Sequence, residues 1–199
     1  IASGWACRLR MHAGGRRQII GILLPGDAIG LRGAAEPDAA TSIGALTQVE
    51  SVDARELLIR VERSNRYSNL ERAIQRAEAQ EKEFLTNQIA RLGGMGAADR
   101  LADLMHELKW RLRQSGLADN DVFPMPLDQR GLMSTLNMSS RDLKSAMRRL
   151  KRKQGFRLRN RGARLRDFED ETQYPAGGFR PPSASLRAGA RPSPRIISS

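Results

Sequence analysis

The apolar and polar positions of this chain change period twice. Over the first 52 residues they follow strand spacing. Trp5-Ala6-Cys7-Arg8-Leu9-Arg10 alternates at positions 8–10, Ala13-Gly14-Gly15 supplies turn chemistry, and Gln18–Leu24 is a more buried strand closed by Pro25-Gly26-Asp27. A further strand is predicted over Ser42–Val52, and short strands at this spacing suggest an antiparallel sandwich or barrel. The period then lengthens. Arg55–Arg63 predicts a short amphipathic helix. Asn69–Leu92 predicts a long one, with Leu70, Ile74, Ala77, Phe84, Leu85, Ile89 and Leu92 at three- and four-residue steps. Glu81 and Gln88 interrupt that thin seam. It fits either a contact with a second copy of the chain or one face packed on its own domain, and we take the dimer contact through Leu70, Ile74, Ala77 and Phe84 as the expectation.

Gly93-Gly94-Met95-Gly96 reads as a break and a hinge. Beyond it, Ala97–Gln114 predicts a helix with Leu101, Leu104, Met105, Leu108 and Leu112 on one face, ended by Gly116. Asp119–Pro126 is a loop or a short strand. Two short helices follow. The first spans roughly Gln129–Thr135 with Asp128 as its cap. The turn Leu136-Asn137-Met138 places Asn137 where a left-handed backbone is wanted. Ser139, with Asp142 three residues on, fits an acidic variant of the capping box and opens the second helix. Leu132, Leu136, Met138, Leu143, Met147 and Leu150 are the inward positions. The outward ones are Ser140, Arg141, Lys144, Ser145, Arg148 and Arg149, and the helix ends in Lys151-Arg152-Lys153. Phe156–Arg159, Asn160-Arg161-Gly162 and Ala163–Arg166 then read as strand, turn and strand, a basic wing beside the helix pair.

Charge sharpens this picture. The chain has 199 residues and a formal charge of +12. Leu127–Asp167 holds thirteen basic residues against Asp128, Asp142 and Asp167, so 13 − 3 = +10 falls in about one fifth of the sequence. Any single basic helix is more often a solvated face than a nucleic-acid reader. Here the helix pair, three-residue turn, cap and basic hairpin come in order, with the charge confined to them. That conjunction favours duplex DNA, with base contacts from the first turns of the second helix and phosphate contacts from flanking cations. The candidate DNA-binding residues are Ser139, Ser140, Arg141, Lys144, Ser145, Arg148, Arg149, Arg159 and Arg161. A membrane surface is disfavoured because the basic helix lacks large aromatic anchors.

Other chemistry is sparse. One cysteine, Cys7, excludes an internal disulfide framework. His12 and His106 are read as strand and helix residues, too few for a zinc site, and nothing resembles a nucleophile–base pair. We expect no enzyme activity, no cofactor and no metal. No apolar run reaches the roughly 18 residues of a membrane span and no signal peptide is visible, so the expected location is the cytoplasm. The chain opens on Ile1 in mid-pattern and reads as a fragment lacking its natural N-terminus.

Across about residues 3–168 the sequence resembles the Crp/Fnr family of bacterial transcription regulators. Gly4-Trp5-Ala6-Cys7-Arg8, Gly15-Arg16-Arg17-Gln18-Ile19 and Leu24-Pro25-Gly26-Asp27-Ala28-Ile29-Gly30 look like later strands of that family's cyclic-nucleotide-binding-type β-roll. Ala97-Ala98-Asp99-Arg100-Leu101-Ala102 and Pro126-Leu127-Asp128-Gln129 look like the start of its DNA-binding domain, and Leu136-Asn137-Met138-Ser139 stands in its helix-turn-helix turn. The resemblance implies an α+β architecture: a partial antiparallel, jelly-roll-like β-roll over 1–63, a dimerisation helix over 64–92, and a winged helix-turn-helix over 93–168. Residues 169–199, rich in proline, glycine and serine, are expected to be disordered. It further implies a homodimeric, sequence-specific regulator, with RNA polymerase as a candidate partner.

The departures from the family are specific. Gly30-Leu31-Arg32 and Ala40-Thr41-Ser42 lack the carboxylate and the paired arginine of members that bind cyclic AMP, so cyclic-AMP sensing is not implied. One cysteine is too few for the cluster of the oxygen-sensing branch. Arg141 and Ser145 replace the glutamate and arginine that many members carry in the recognition helix, so the usual half-site is not implied either. The helix-ending glycine falls one residue late, at Gly155. Two alternatives stay open: a small-molecule sensor or partner-binding module with a degenerate DNA-binding half, and a basic nucleic-acid binder without sequence preference.

Overall fold

A computed structural model describes residues 1–30, 41–63, 67–119, 121–159 and 162–166. Strands β1 (Ala6–Met11), β2 (Arg17–Leu23) and β3 (Thr41–Ala45) form an antiparallel sheet in the order β2-β1-β3. Helices α1 (Arg55–Arg63), α2 (Ser68–Gly94) and α3 (Ala97–Gln114) follow. Strand β4 (Val122–Pro124) precedes α4 (Gln129–Leu136) and α5 (Ser140–Gln154), and β5 (Arg157–Arg159) and β6 (Gly162–Arg164) close a second sheet ordered β4-β6-β5. The architecture is α+β.

The first sheet starts from a backbone approach that only glycine permits. Gly4 has φ +82°, and a Cβ there would lie 1.9 Å from the Gln48 carbonyl oxygen. The register shifts between Arg8 and Leu9, where β2 carries one extra residue, Ile20; along β1, Ala6 and Cys7 are buried while Arg10 and Met11 reach solvent. Burial pushes the Cys7 thiol above its ordinary pKa, as suits a packing residue. The expected third strand is shorter than its span, ending at Ala45, and His12 falls just past β1, beside Gln18.

One core joins both halves of the chain. Trp5, Cys7, Ile19, Ile22 and Leu24 share it with Leu101, Leu104, Met105 and Leu108 of α3 and with Leu132, Leu136, Leu143 and Leu150 of the helix pair. Strand β2 lies at a sheet edge, and α4 covers it: the Ile19 N–H donates to Ser134 Oγ (3.0 Å), while the Ser134 hydroxyl donates to the Arg17 carbonyl (3.3 Å). A single hydroxyl satisfies an edge donor and an edge acceptor that water would otherwise take.

One expectation about α2 needs correcting. The helix runs through Gly93 and Gly94, and the break is confined to Met95, which is extended, and Gly96. Arg100 spans that break, donating to the Met95 carbonyl (2.8 Å) and to the Leu136 carbonyl (3.3 Å). Within the single chain, part of the apolar seam expected at a dimer contact packs on the chain's own core. Ala77 and Phe84 line a cleft against β2 and α3, the Phe84 ring lies 4.0 Å from the Arg111 guanidinium, and Ile74 is buried by the chain itself. Leu70 is half-buried. The solvent side of α2 instead carries Arg72, Ala79, Lys82, Thr86 and Ile89, the last 72% exposed.

The residues that break the seam hold the helix in place. Glu81 pairs with Arg8 of β1, and Gln88 donates to the Thr135 carbonyl (2.6 Å) at the end of α4. Arg91, 2% exposed, donates to Asp103 (2.7 Å) and Glu107 (2.5 Å) of α3. Arg111 extends the network to Glu107, to Asp27 and to the Ile22 carbonyl (3.1 Å). The cleft among these groups encloses about 50 Å³, room for a few waters.

Candidate nucleic-acid interface

The helix pair forms through local backbone chemistry. Asp128 caps α4 by accepting the Gly131 N–H (2.7 Å). Asn137 ends it in the left-handed region (φ 48°, ψ 56°), a conformation that asparagine tolerates better than most residues. Ser139 then accepts the Asp142 N–H (3.1 Å), and its hydroxyl donates to the Asp142 carboxylate (2.6 Å). The box thus closes side chain to side chain, whereas the usual form has the acidic group accept the cap residue's own N–H. Gly155 ends α5 at φ 61° and redirects the chain into the wing.

These caps fix which face of α5 looks out. Leu143, Ala146 and Leu150 are buried against α3, and Met147 is half-buried. Ser140, Arg141, Lys144, Ser145, Arg148 and Arg149 are all exposed, as is Ser139. None of the cations on α5 pairs with an acid among the described residues. Asp142 in the first turn and Lys151-Arg152-Lys153 in the last complement the helix dipole.

Arg159 closes β5, and Arg161 lies outside the described residues, as do Asn160, residues 31–40 and the whole of 167–199. The expected strand–turn–strand is present, and β4 adds a third strand where the sequence reads as either loop or strand. Behind this sheet Phe156, Ala163 and Leu165 are buried.

Four more arginines of these elements are exposed beyond the expected set: Arg130 at the start of α4, and Arg157, Arg164 and Arg166 on the wing. Arg157 and Arg164 sit directly across the β5–β6 ladder. Like charges facing each other in a sheet are unfavourable without an anion between them. Their signal in the sequence was the alternation of arginine with Leu158 and Leu165. By contrast Lys109 is spent on structure, donating to the Leu165 carbonyl (2.6 Å) and pairing with Asp121 (3.2 Å). Among the described residues no group of three histidines, cysteines or carboxylates could hold a metal, and no helix is long and apolar enough to cross a membrane.

No protein-family model and no curated protein matches the chain. Solved structures do. FixK2 from Bradyrhizobium japonicum is similar at 22% identity and a TM-score of 0.66, over 83% of this chain and 80% of that one. The c-di-GMP-responsive global regulator CLP of Xanthomonas campestris is similar at 16% identity and a TM-score of 0.55, over 84% and 83%. A CRP/FNR-family transcriptional regulator from Thermus thermophilus is similar at 16% identity and a TM-score of 0.53, over 83% and 80%. With its antiparallel sheet, long connecting helix and winged helix-turn-helix in that order, the chain has the fold of the Crp/Fnr regulators.

Proposed function

We propose that this protein is a sequence-specific DNA-binding regulator of the Crp/Fnr type that inserts α5 into the major groove and lays its wing along the backbone. The observation that supports it is the unpaired cationic face of α5, continuous with the wing arginines and held by caps on a buried core. In this reading Arg141 and Lys144, on the first turns of α5, meet base edges, with Ser139, Ser140 and Ser145 beside them. Arg148, Arg149, Arg159 and Arg161 neutralise phosphate. Duplex DNA and a second copy of the chain are the partners, with RNA polymerase a further candidate, and the protein acts by binding without catalysis. A two-fold dimer places two recognition helices in successive major grooves about 34 Å apart. Half-buried Leu70, Ala77 and Phe84, together with the exposed side of α2 around Ile89, are the surface for that contact.

The rival reading, a basic binder without sequence preference, draws on Arg141, which makes the recognition turn more cationic. Two substitutions separate them by fluorescence anisotropy on a selected and a random duplex. Arg141→Ala is expected to cost about 1–3 kcal/mol on the selected site and to relax preference at one base pair. Arg149→Ala is expected to weaken both duplexes alike and to flatten the salt slope by about 1. Equal losses on both duplexes for Arg141→Ala would favour the non-specific binder.

A further inference from the structure

Between the C-terminal half of α5 and β5 lies an open hollow of about 300 Å³, lined by Met147, Arg148, Lys151, Phe156, Arg157 and Leu158. Its floor is apolar, with Phe156 buried and Met147 and Leu158 half-buried. Its rim is three cations, all exposed, with no acidic side chain among the lining residues. Such a surface suits an anionic segment that carries one apolar side chain.

That sequence follows the wing directly. Residues 167–171 read Asp167-Phe168-Glu169-Asp170-Glu171, four carboxylates around one aromatic ring, and they hold four of the chain's 22 acidic residues. The chain leaves the described fold beside the hollow. The Arg166 N–H donates to the Gln154 carbonyl (3.2 Å), the Arg166 side chain packs at Gly155, and the Gly155 N–H donates to the Lys151 carbonyl (3.0 Å). At about 3.3–3.6 Å per residue, two residues of chain beyond Arg166 can reach at most about 7 Å and five at most about 18 Å.

We propose that residues 167–171 fold back onto this hollow, Phe168 seated on Met147 and Leu158 and the carboxylates on Arg148, Lys151 and Arg157, and thereby compete with DNA phosphate for the same cations. The segment is an internal brake. It weakens contacts made through the backbone of any duplex while leaving the first turn of α5 free, so it favours sites that repay displacement with base contacts. A tether this short gives an effective concentration in the millimolar range, so even a weak contact masks the hollow by about tenfold.

The consequence for DNA rests on the function proposed above, whereas the docking itself can be tested without DNA. The full chain is compared with D167N/E169Q/D170N/E171Q and with Phe168→Ser for affinity to a random duplex at about 0.1 M salt. Both variants are expected to bind more tightly, the first by about tenfold. Separately, Met147→Cys with Phe168→Cys is oxidised in the full chain, whose one native thiol, Cys7, is buried. A disulfide is expected to form there and not in a Thr86→Cys/Phe168→Cys control on the outer face of α2, since bridging needs Cα atoms within about 7 Å. Tightening by the neutralised variant alone, without the disulfide, would mean through-space repulsion and overturn docking. Unchanged affinity in both variants would overturn the brake. If no form binds DNA, the proposed function fails and the disulfide still decides docking.

Discussion

Replacing Arg91 with alanine is expected to lower the stability of the fold by about 3–5 kcal/mol, as breaking a buried ion pair from one side does. Arg91 is 2% exposed and forks between Asp103 and Glu107, whose side chains are 10% and 6% exposed. Burial alone would favour a neutral guanidine. The two carboxylates outweigh it, and the pKa of Arg91 stands above its ordinary value. Truncation takes the guanidinium from Asp103, leaves Glu107 with Arg111 alone, and releases Gln88, which Arg91 contacts and which holds the end of α4. Thermal unfolding followed by circular dichroism should show a midpoint lower by about 10 °C. Arg91→Lys is expected to recover little, because an ammonium cannot fork to two carboxylates. Arg91→Met with Asp103→Leu is expected to recover part of the loss, because Glu107 keeps Arg111 as its partner. A cost under about 1 kcal/mol for Arg91→Ala would show that water reaches the network.

Reversing two charges on the recognition helix is expected to abolish most DNA binding without touching the fold. Lys144 and Arg148 are one turn apart, exposed and free of acidic partners among the described residues. Lys144→Glu with Arg148→Glu removes two cations and presents two anions to the backbone. We expect affinity for any duplex to fall by about two orders of magnitude or more near 0.1 M salt, with the slope of log K against log salt reduced by about 2. Far-ultraviolet circular dichroism and the unfolding midpoint should stay near those of the parent chain, as exposed substitutions usually cost within ±0.5 kcal/mol. Unchanged affinity would place nucleic acid on another surface, or nowhere.

How much of this was legible in the sequence follows the range of the forces involved. Signals set within four residues were readable. Asp128 and Ser139 cap the helices they were expected to cap, Asn137 takes the left-handed conformation, and Arg55–Arg63 and Ala97–Gln114 are helices at the expected bounds. The outward face of α5 followed from its period, since Leu143 and Leu150 had to point in. What failed needed a partner distant in sequence. Ala77 and Phe84 have a spacing that serves equally a dimer seam and a face set against β2 and Arg111, and periodicity could not reveal their contacts within the chain. Arg91, Asp103 and Glu107 look like solvated charges on polar helices until two helices bring them together. Gly93 and Gly94 read as a break, although a glycine costs a helix only about 1 kcal/mol against alanine and both stay in α2. Ser134 carried no signal, because its role depends on the free edge of β2.

Selection of binding sites from a pool of random duplexes, performed with the full chain, tests the central claim most directly. The fold, the exposed face of α5 and a two-fold pairing of winged helices together predict an enriched pseudo-palindrome whose half-site centres lie about 10–10.5 base pairs apart or a multiple of that. The Lys144→Glu/Arg148→Glu variant should enrich nothing from the same pool. Recovery of a pool with no common motif, bound as tightly as the starting one, would contradict sequence-specific recognition by α5.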